Sequence, residues 1–225
     1  MQKDIRTKSF VLRRTNFGES DRILNLLTEE GYASVMAKGV RKLKSKLAGG
    51  IEMFCLNEIT YHEGKNNKIG ILTSSKMLKC YDKIPISLEK LEFASTVLRS
   101  VNQIAESTDA SVYFSLVRQI FEALNGTVSE SLIETWFWFN FAKLSGEDIN
   151  LVKDTSGDPL VPDIAYVWDV KEKALRPQMG GFIGVNEIKL MRFILSSNLS
   201  TIAHLSDAEK YLPAIFFVAK SINNL

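Results

Sequence analysis

Cysteine, histidine and proline are scarce in this 225-residue chain, which contains two, two and five of them respectively. Cys55 and Cys80 lie in apolar or strand-like surroundings, without a CxxC motif or a histidine at ligand spacing, so we expect two buried reduced thiols and neither a disulfide nor a metal site. His62 and His204 lie far apart, and the chain has no phosphate-binding loop, nucleophile elbow or H-E-x-x-H motif. The sequence therefore predicts a protein that is not an enzyme and that uses no cofactor.

Long hydrophobic runs are also missing. The longest late stretch without a charge is the nine residues between Lys210 and Lys220, and Pro213 interrupts it, whereas a membrane helix needs about 20 apolar residues. The apolar run at residues 10–12 is much too short for the core of a signal peptide. The sequence therefore predicts a cytoplasmic protein with no membrane partner.

The rest of the composition is that of an ordinary folded protein. Hydrophobic residues make up 45% of the chain and charged residues 24%, and the length suits one large domain or two modest ones with a sizeable core. The 28 basic and 26 acidic residues give a net charge of only +2, so the total charge indicates no particular partner.

Strand-like segments fill the first 80 or so residues. In one of them, Ala33, Val35 and Ala37 alternate with more polar residues, which predicts a strand with one buried face. Short strands with a charged insertion between the third and fourth predict a small closed antiparallel barrel, because closure removes exposed edges. An oligonucleotide-binding (OB) barrel is the leading interpretation, and an SH3-like barrel with similar strand counts stays open as an alternative. The five segments are residues 7–15, 21–28, 32–38, 54–62 and 69–78.

Beyond Pro85 the spacing of apolar residues becomes helical. It predicts two amphipathic helices at about 91–105 and 113–124. The capping-box pattern Thr127-x-x-Glu130 predicts the start of a third helix, which carries the aromatic residues at 136–139 on all its sides. A last helix is expected near the C-terminus, where Pro213 should bend it or delay its start.

The stretch at about 150–185 contains three of the five prolines and four of the 13 glycines. We interpret it as an irregular insert between helices. The predicted fold class is therefore α+β, with a five-stranded OB-fold β-barrel as an N-terminal domain at 1–82 and an all-α helical C-terminal domain at 83–225 that contains the insert.

The densest charge feature lies between the third and fourth predicted strands, where residues 38–46 carry five cations and no acid follows until Glu52. Flexible cations of this kind release counterions from a nucleic-acid backbone, and Gly39 and Ser45 let the chain approach closely. A solvated surface loop is the alternative interpretation. The cations are Lys38, Arg41, Lys42, Lys44 and Lys46.

The distribution of charge favours the nucleic-acid interpretation. Through Asp82 the chain has 15 basic and 9 acidic residues, a balance of +6, whereas the remainder has 13 and 17, a balance of −4. A basic barrel with surface aromatics is typical of proteins that bind single strands. Arg13, Arg14, Tyr32 and Tyr61 are further candidate contacts, although packing in the barrel core explains the two tyrosines at least as well.

Three strings in about the first 50 residues resemble the bacterial RecO family of recombination mediators. They are Val11-Leu12-Arg13-Arg14, Gly18-Glu19-x-Asp21-Arg22-Ile23-Leu24 and Ala37-Lys38-Gly39-Val40-Arg41-Lys42-x-Lys44-Ser45. The resemblance implies an N-terminal OB fold, a helical C-terminal domain and a non-enzymatic role in DNA repair and recombination.

The resemblance further implies binding of single- and double-stranded DNA, annealing of complementary strands, and assistance in loading recombinase onto DNA coated with single-strand-binding protein. RecR and the acidic C-terminal tail of single-strand-binding protein are the implied partners, and the implied location is cytoplasmic and nucleoid-associated. Glu19 and Asp21 match as well and are expected to brace the basic segment or the first turn. The implied DNA-binding residues are Lys38, Arg41, Lys42, Lys44 and Lys46, with Arg13 and Arg14 as secondary contacts.

The chain departs from the family at the insert, where many RecO proteins carry a four-cysteine zinc site. Residues 152–185 contain neither cysteine nor histidine, so a tetrahedral zinc site cannot be built there. We expect Tyr166, Trp168 and Phe182 to hold the insert by packing. Two other functions remain open: a protein-interaction scaffold based on the acidic, aromatic-rich helical domain, and an RNA-binding OB module.

Overall fold

The computed structural model describes residues 4–64, 69–147, 149–205 and 207–223. The chain divides into two compact units, Met1–Asn125 and Gly126–Leu225. The first contains a β-barrel and two helices, and the second contains four helices and a small sheet within the described residues.

The barrel confirms the predicted α+β class with an N-terminal OB fold. Its strands close in the order β1-β2-β3-β5-β4. Because a ring of five strands cannot be antiparallel throughout, one pair has to be parallel, and this corrects the expectation of an all-antiparallel barrel. The parallel pair is β3 with β5, joined through Val35 with Gly70 and Met36 with Ile71. The strands are β1 (Asp4–Phe17), β2 (Asp21–Thr28), β3 (Gly31–Ala37), β4 (Cys55–His62) and β5 (Gly70–Cys80).

The interior of the barrel follows from the alternation of the strands. In β3, Ala33, Val35 and Ala37 are buried and the residues between them are partly exposed, as predicted. The register of β1 against β2 shifts between Val11 and Arg13, and such a bulge bends a long strand so that it can serve two surfaces. The barrel core consists of Val11, Leu24, Leu26, Ala33, Val35, Ala37, Val40, Ile51, Ile59 and Leu72.

Helices α1 (Leu88–Ala105) and α2 (Val112–Leu124) confirm the two predicted amphipathic helices. The Ser87 side chain caps α1 by accepting a hydrogen bond from the Lys90 N–H at 3.3 Å. Phe121 of α2 packs edge-on against Phe10 and Tyr81, with ring centroids 5.4 and 5.5 Å apart. A second apolar cluster therefore joins α2 to the outer side of the barrel.

In the second unit, α3 (Glu130–Leu144) buries the aromatic residues at 136–139 on all sides. Its N-cap is Ser129 rather than Thr127, so the predicted capping box was placed two residues too early. The other helices of this unit are α4 (Val185–Ser196), α5 (Leu199–Ile202) and α6 (Ala208–Ile222). α6 begins before Pro213 and continues through it, so the proline does not delay its start.

The insert is more regular than predicted. It forms a three-stranded sheet in the order β6-β8-β7, from β6 (Asn150–Asp154), β7 (Tyr166–Asp169) and β8 (Ala174–Pro177). Tyr166 and Trp168 are buried as expected, whereas Phe182 is 51% exposed and packs edge-on against Phe217 of α6, with ring centroids 6.3 Å apart. The Tyr166 hydroxyl accepts a hydrogen bond from the Val161 N–H at 3.0 Å and fixes the preceding loop.

Candidate nucleic-acid interface

The basic loop, defined as residues 38–46, connects β3 to the turn that leads into β4. Its five cationic side chains are all exposed, and none of them forms an ion pair with any residue that the structure describes. Because no carboxylate among those residues neutralises the loop, its charge is directed to solvent and is available to an anionic ligand.

Three hydrogen bonds hold the start of the basic loop against the β1–β2 turn, and one of them runs from the Arg41 side chain to the Gly18 carbonyl at 3.3 Å. The Gly39 N–H donates to Asp21 Oδ1 at 2.7 Å, and the Arg41 N–H donates to the Ser20 carbonyl at 2.9 Å. Gly39 has a φ of +63°, a conformation that favours glycine. Asp21 therefore braces the loop, which is the role expected for it, and its carboxylate is directed at backbone rather than at the cations.

The far end of the basic loop is fixed by apolar packing and close backbone approach. Leu47 packs against the barrel core, and Ile51 is buried in it. The Leu47 carbonyl accepts a hydrogen bond from Ser75 Oγ of β5 at 2.9 Å. A Cβ on Gly50 would lie only 2.5 Å from the backbone of Ser75. The cations thus project from a segment that is held at both ends.

The two secondary candidates point to opposite sides of β1. Arg13 lies opposite Asn25, and Arg14 lies opposite the buried Leu24. The Arg14 guanidinium forms an ion pair with Glu52 at 2.9 Å, and Glu52 directly follows the loop's buried anchor Ile51. The structure therefore brings Arg14 to the downstream end of the basic loop, where its guanidinium is already paired with Glu52. Arg13 lies on the opposite, exposed side of β1.

Tyr32 and Tyr61 are engaged in the fold. The Tyr32 hydroxyl donates to Glu106 Oε1 at 2.5 Å. Burial, and after it this hydrogen bond, raises the pKa of Tyr32. Tyr61 packs against the barrel core, and burial raises its pKa as well. Tyr61 therefore serves the packing alternative, whereas Tyr32, on the partly exposed face of β3, is held by its hydrogen bond to Glu106.

The sequence interpretation did not identify two exposed apolar side chains in and beside the basic loop. Leu43, in the middle of the basic loop, is fully exposed at 106%, and Phe17, at the end of β1 beside the same turn, is 51% exposed. Apolar side chains among cations can insert between bases or stack on them. The available signal was the single apolar residue in Lys42-Leu43-Lys44-Ser45-Lys46, where no alternation requires one.

Metal ligands and membrane-spanning helices are two further features that bear on function. Among the described residues no group of three or more potential metal ligands comes together. Within the same ranges no helix combines the length and the apolar character needed to cross a bilayer.

Comparisons with known proteins agree with the barrel and extend over the helices. The family model described as Recombination protein O N terminal matches residues 1–81, which span the barrel. "DNA repair protein RecO" of Dehalococcoides mccartyi is 29% identical over 220 residues, covering 90% of this chain and 82% of that protein. The protein of the same name from a Roseiflexus species is 28% identical over 211 residues, covering 86% of this chain and 71% of that protein. The chain is therefore similar to RecO proteins along most of its length, and its barrel matches the N-terminal model of that family.

Proposed function

We propose that this chain is a member of the RecO family, a non-enzymatic protein of DNA repair and recombination that binds single- and double-stranded DNA through its barrel and anneals complementary strands. The observation that carries the proposal is the basic loop, whose five exposed cations stand on a segment fixed at both ends. The name of its relatives, DNA repair protein RecO, supports DNA as the ligand.

Annealing by this route depends on charge. Two complementary strands repel each other through their phosphates, and cations that bind both strands lower that repulsion while releasing counterions. A loop fixed at its ends loses less conformational entropy when its side chains engage phosphates than a free one would. We place Lys38, Arg41, Lys42, Lys44 and Lys46 on phosphates, with Leu43 and Phe17 as apolar contacts to unstacked bases.

Arg13 and Arg14 are kept as secondary contacts with different roles. Arg13 is exposed and can bind a phosphate without giving up an ion pair to any described residue. Arg14 has to exchange Glu52 for a phosphate, which offsets part of the gain. We therefore expect Arg13 to contribute more than Arg14 to DNA affinity.

The proposed partners follow from membership of the family. They are RecR and the C-terminal tail of single-strand-binding protein, and assistance to recombinase on coated DNA is the proposed outcome. The competing scaffold function relied on the aromatic residues at 136–139, but these are buried inside the second unit. An exposed aromatic docking surface at that position is therefore not available to support the scaffold function.

The first test removes charge from the loop. We expect the triple substitution Lys42→Ala, Lys44→Ala and Lys46→Ala to weaken binding to an oligonucleotide and to flatten its salt dependence, by about 0.7 in the log–log slope per lost single-strand contact. The matched control is Lys153→Ala, Lys171→Ala and Lys210→Ala, which removes three exposed lysines from the second unit. Unchanged affinity and slope in the loop variant would refute the assignment.

The second test measures annealing. Complementary oligonucleotides are mixed with the protein in chelator, with and without single-strand-binding protein. We expect annealing to proceed in chelator and to slow in the triple loop variant but not in the control. An RNA strand of the same sequence, used as competitor, separates a DNA-binding role from an RNA-binding OB module, which would lose its DNA to that competitor.

A further inference from the structure

The two cysteines are directly opposed neighbours on adjacent strands of the barrel. Cys55 is the first residue of β4 and Cys80 the last residue of β5, and they are directly opposed in the antiparallel register. Their sulfur atoms lie 3.1 Å apart. Cys55 is buried, whereas Cys80 is exposed, so the expectation of two buried thiols was right for Cys55 only.

The backbone at this point suits a cross-link. The Tyr81 N–H donates to the Phe54 carbonyl at 3.1 Å, and Phe54 and Tyr81 are the next opposed positions beyond Cys55 and Cys80. Hydrogen-bonded and non-hydrogen-bonded pairs alternate along an antiparallel ladder, so the cysteines occupy a non-hydrogen-bonded pair, with Cα atoms about 4.5 Å apart. That spacing lies within the range of about 4.4–6.8 Å found for disulfides.

We propose that Cys55 and Cys80 form a reversible, peroxide-sensitive disulfide between β4 and β5. The two thiols play unequal parts in this reaction because only one of them meets solvent. The exposed Cys80 is the site of first attack on the oxidant, and the buried Cys55 is the resolving thiol.

The chemistry balances with hydrogen peroxide as the oxidant. The Cys80 thiolate attacks one peroxide oxygen, an S–O bond forms, the O–O bond breaks, and the departing hydroxide takes up a proton to leave as water. The Cys55 sulfur then attacks the Cys80 sulfur, an S–S bond forms, and the S–O bond breaks. The hydroxyl leaves as a second water with the Cys55 proton. Two thiols lose two electrons and two protons in total.

The surroundings of the two thiols favour reaction of Cys80 first and of Cys55 second. Burial, with smaller contributions from Cys80 and Glu52, raises the pKa of the Cys55 thiol to about 12, so Cys55 stays protonated while Cys80 reacts. Only about 1 Å separates the present sulfur distance from a disulfide bond of about 2.05 Å. A resolving thiol this close should capture the sulfenic acid before further oxygen is added.

The cross-link would join the end of β5 to a point nine residues after Lys46. It would close a loop that contains all of β4 and all of β5. Oxidation should therefore raise the thermal midpoint of the full chain, and a dithiol reductant should reverse the rise. This inference concerns the fold of the barrel and does not depend on the proposed DNA binding.

The test is oxidation of the full-length protein with hydrogen peroxide, followed by alkylation under denaturing conditions and intact mass spectrometry. We expect both thiols to disappear together, the mass to fall by two hydrogens, and a peptide linking Cys55 to Cys80 to be found after digestion. Dithiothreitol should restore both thiols. Stepwise gain of oxygen on Cys80 while Cys55 remains alkylatable would overturn the proposal, as would a disulfide-linked dimer as the main product.

Two substitutions separate the roles of the thiols. In Cys55→Ser, which lacks the resolving thiol, Cys80 should gain oxygen at the same peroxide dose. In Cys80→Ser, Cys55 should stay unmodified until the protein is unfolded. Equal oxidation of Cys55 in wild type and in Cys80→Ser would overturn the assigned order. Because the wild-type measurement needs no substitution, it decides the proposal even if a variant fails to fold.

Discussion

At the scale of single residues, one carboxylate shapes the candidate interface by accepting a hydrogen bond from the backbone of the basic loop. Asp21 accepts the Gly39 N–H at 2.7 Å and so holds the basic loop beside the β1–β2 turn. Sequence alone located the five cations, because their density is visible in the order of the residues. It did not reveal that Leu43 is fully exposed or that Cys80 is, since exposure depends on which neighbours the closed barrel supplies.

Removing the Asp21 carboxylate should loosen the loop. We expect Asp21→Ala to destabilise the protein by about 1–2 kcal/mol, because the Gly39 N–H loses a charged acceptor, and to weaken oligonucleotide binding. Glu19, which was also expected to brace the loop or the first turn, is exposed and forms no ion pair with a described residue. Glu19→Ala is therefore the control and should change stability by less than about 0.5 kcal/mol. Urea unfolding and an affinity titration measure both effects. Equal stabilities for the two variants would contradict the bracing role.

Glu134 on α3 provides a prediction about pH. Its pKa is raised above the ordinary 4.5, chiefly by burial, with Glu130 adding to the shift and Lys220 opposing it. The unfolded carboxyl ionises more readily than the folded one, so this group's contribution to stability is complete below pH 4.5 and is lost as pH rises through the folded pKa.

We therefore expect Glu134→Gln to stabilise the protein at pH 7 and to have little effect at pH 4, where both states hold the proton. Urea unfolding at the two pH values measures the difference. Glu172→Gln, at an exposed turn position, is the control and should change the free energy of unfolding by a similar amount at both pH values. A gain from Glu134→Gln that is as large at pH 4 as at pH 7 would count against the burial of this carboxylate as its cause.

At the scale of elements, predictability depended on length and regularity. β3 was foreseeable because it is long enough to show alternation, and β2 because it is rich in large apolar residues. The strands of the insert are only four or five residues long, so their pattern is too short to separate from a loop. The pattern Thr127-x-x-Glu130 predicts Thr127 as the helix cap, whereas Ser129, which has no glutamate three positions later, caps α3.

The short 3₁₀ turn at Ala48–Gly50 provides a paired substitution. Gly50→Ala should destabilise the protein by about 1–3 kcal/mol, since its Cβ would meet Ser75 backbone that cannot move without displacing β5. Gly49→Ala has open space around the added methyl group and should be nearly neutral. Thermal unfolding distinguishes them. The DNA affinity of Gly50→Ala should fall as well, because the far anchor of the basic loop shifts.

At the scale of the whole molecule, the charge is unevenly divided. Unit Met1–Asn125 has 19 basic and 14 acidic residues, and unit Gly126–Leu225 has 9 and 12. The sequence is enough to show this imbalance, because it needs only the position of each charge along the chain. Which of the basic residues share a surface depends on the fold, and β1 sends Arg13 and Arg14 to opposite sides.

The scarcity of histidine leads to a prediction about how the DNA affinity of the intact protein depends on pH and salt. The basic loop contains no histidine, the side chain that ordinarily changes its charge between pH 6 and 8. Oligonucleotide affinity should therefore change little over that range. It should fall with salt at a log–log slope of about 3–4 if all five cations bind single-strand phosphates. Fluorescence anisotropy at several salt concentrations measures the slope. A slope near zero, or one that doubles between pH 8 and 6, would exclude the loop as the main contact.

Among the described residues, the parallel pairing of β3 with β5 involves two residue pairs, Val35 with Gly70 and Met36 with Ile71. Its partners are 35 residues apart in the chain, whereas β1, β2 and β3 are joined by short turns. Because closing a long loop costs more entropy than closing a hairpin, the β1-β2-β3 meander should form early in folding and the β3–β5 seam should close last. The basic loop leaves the barrel from β3, so during folding it would extend from a finished meander before the barrel is shut.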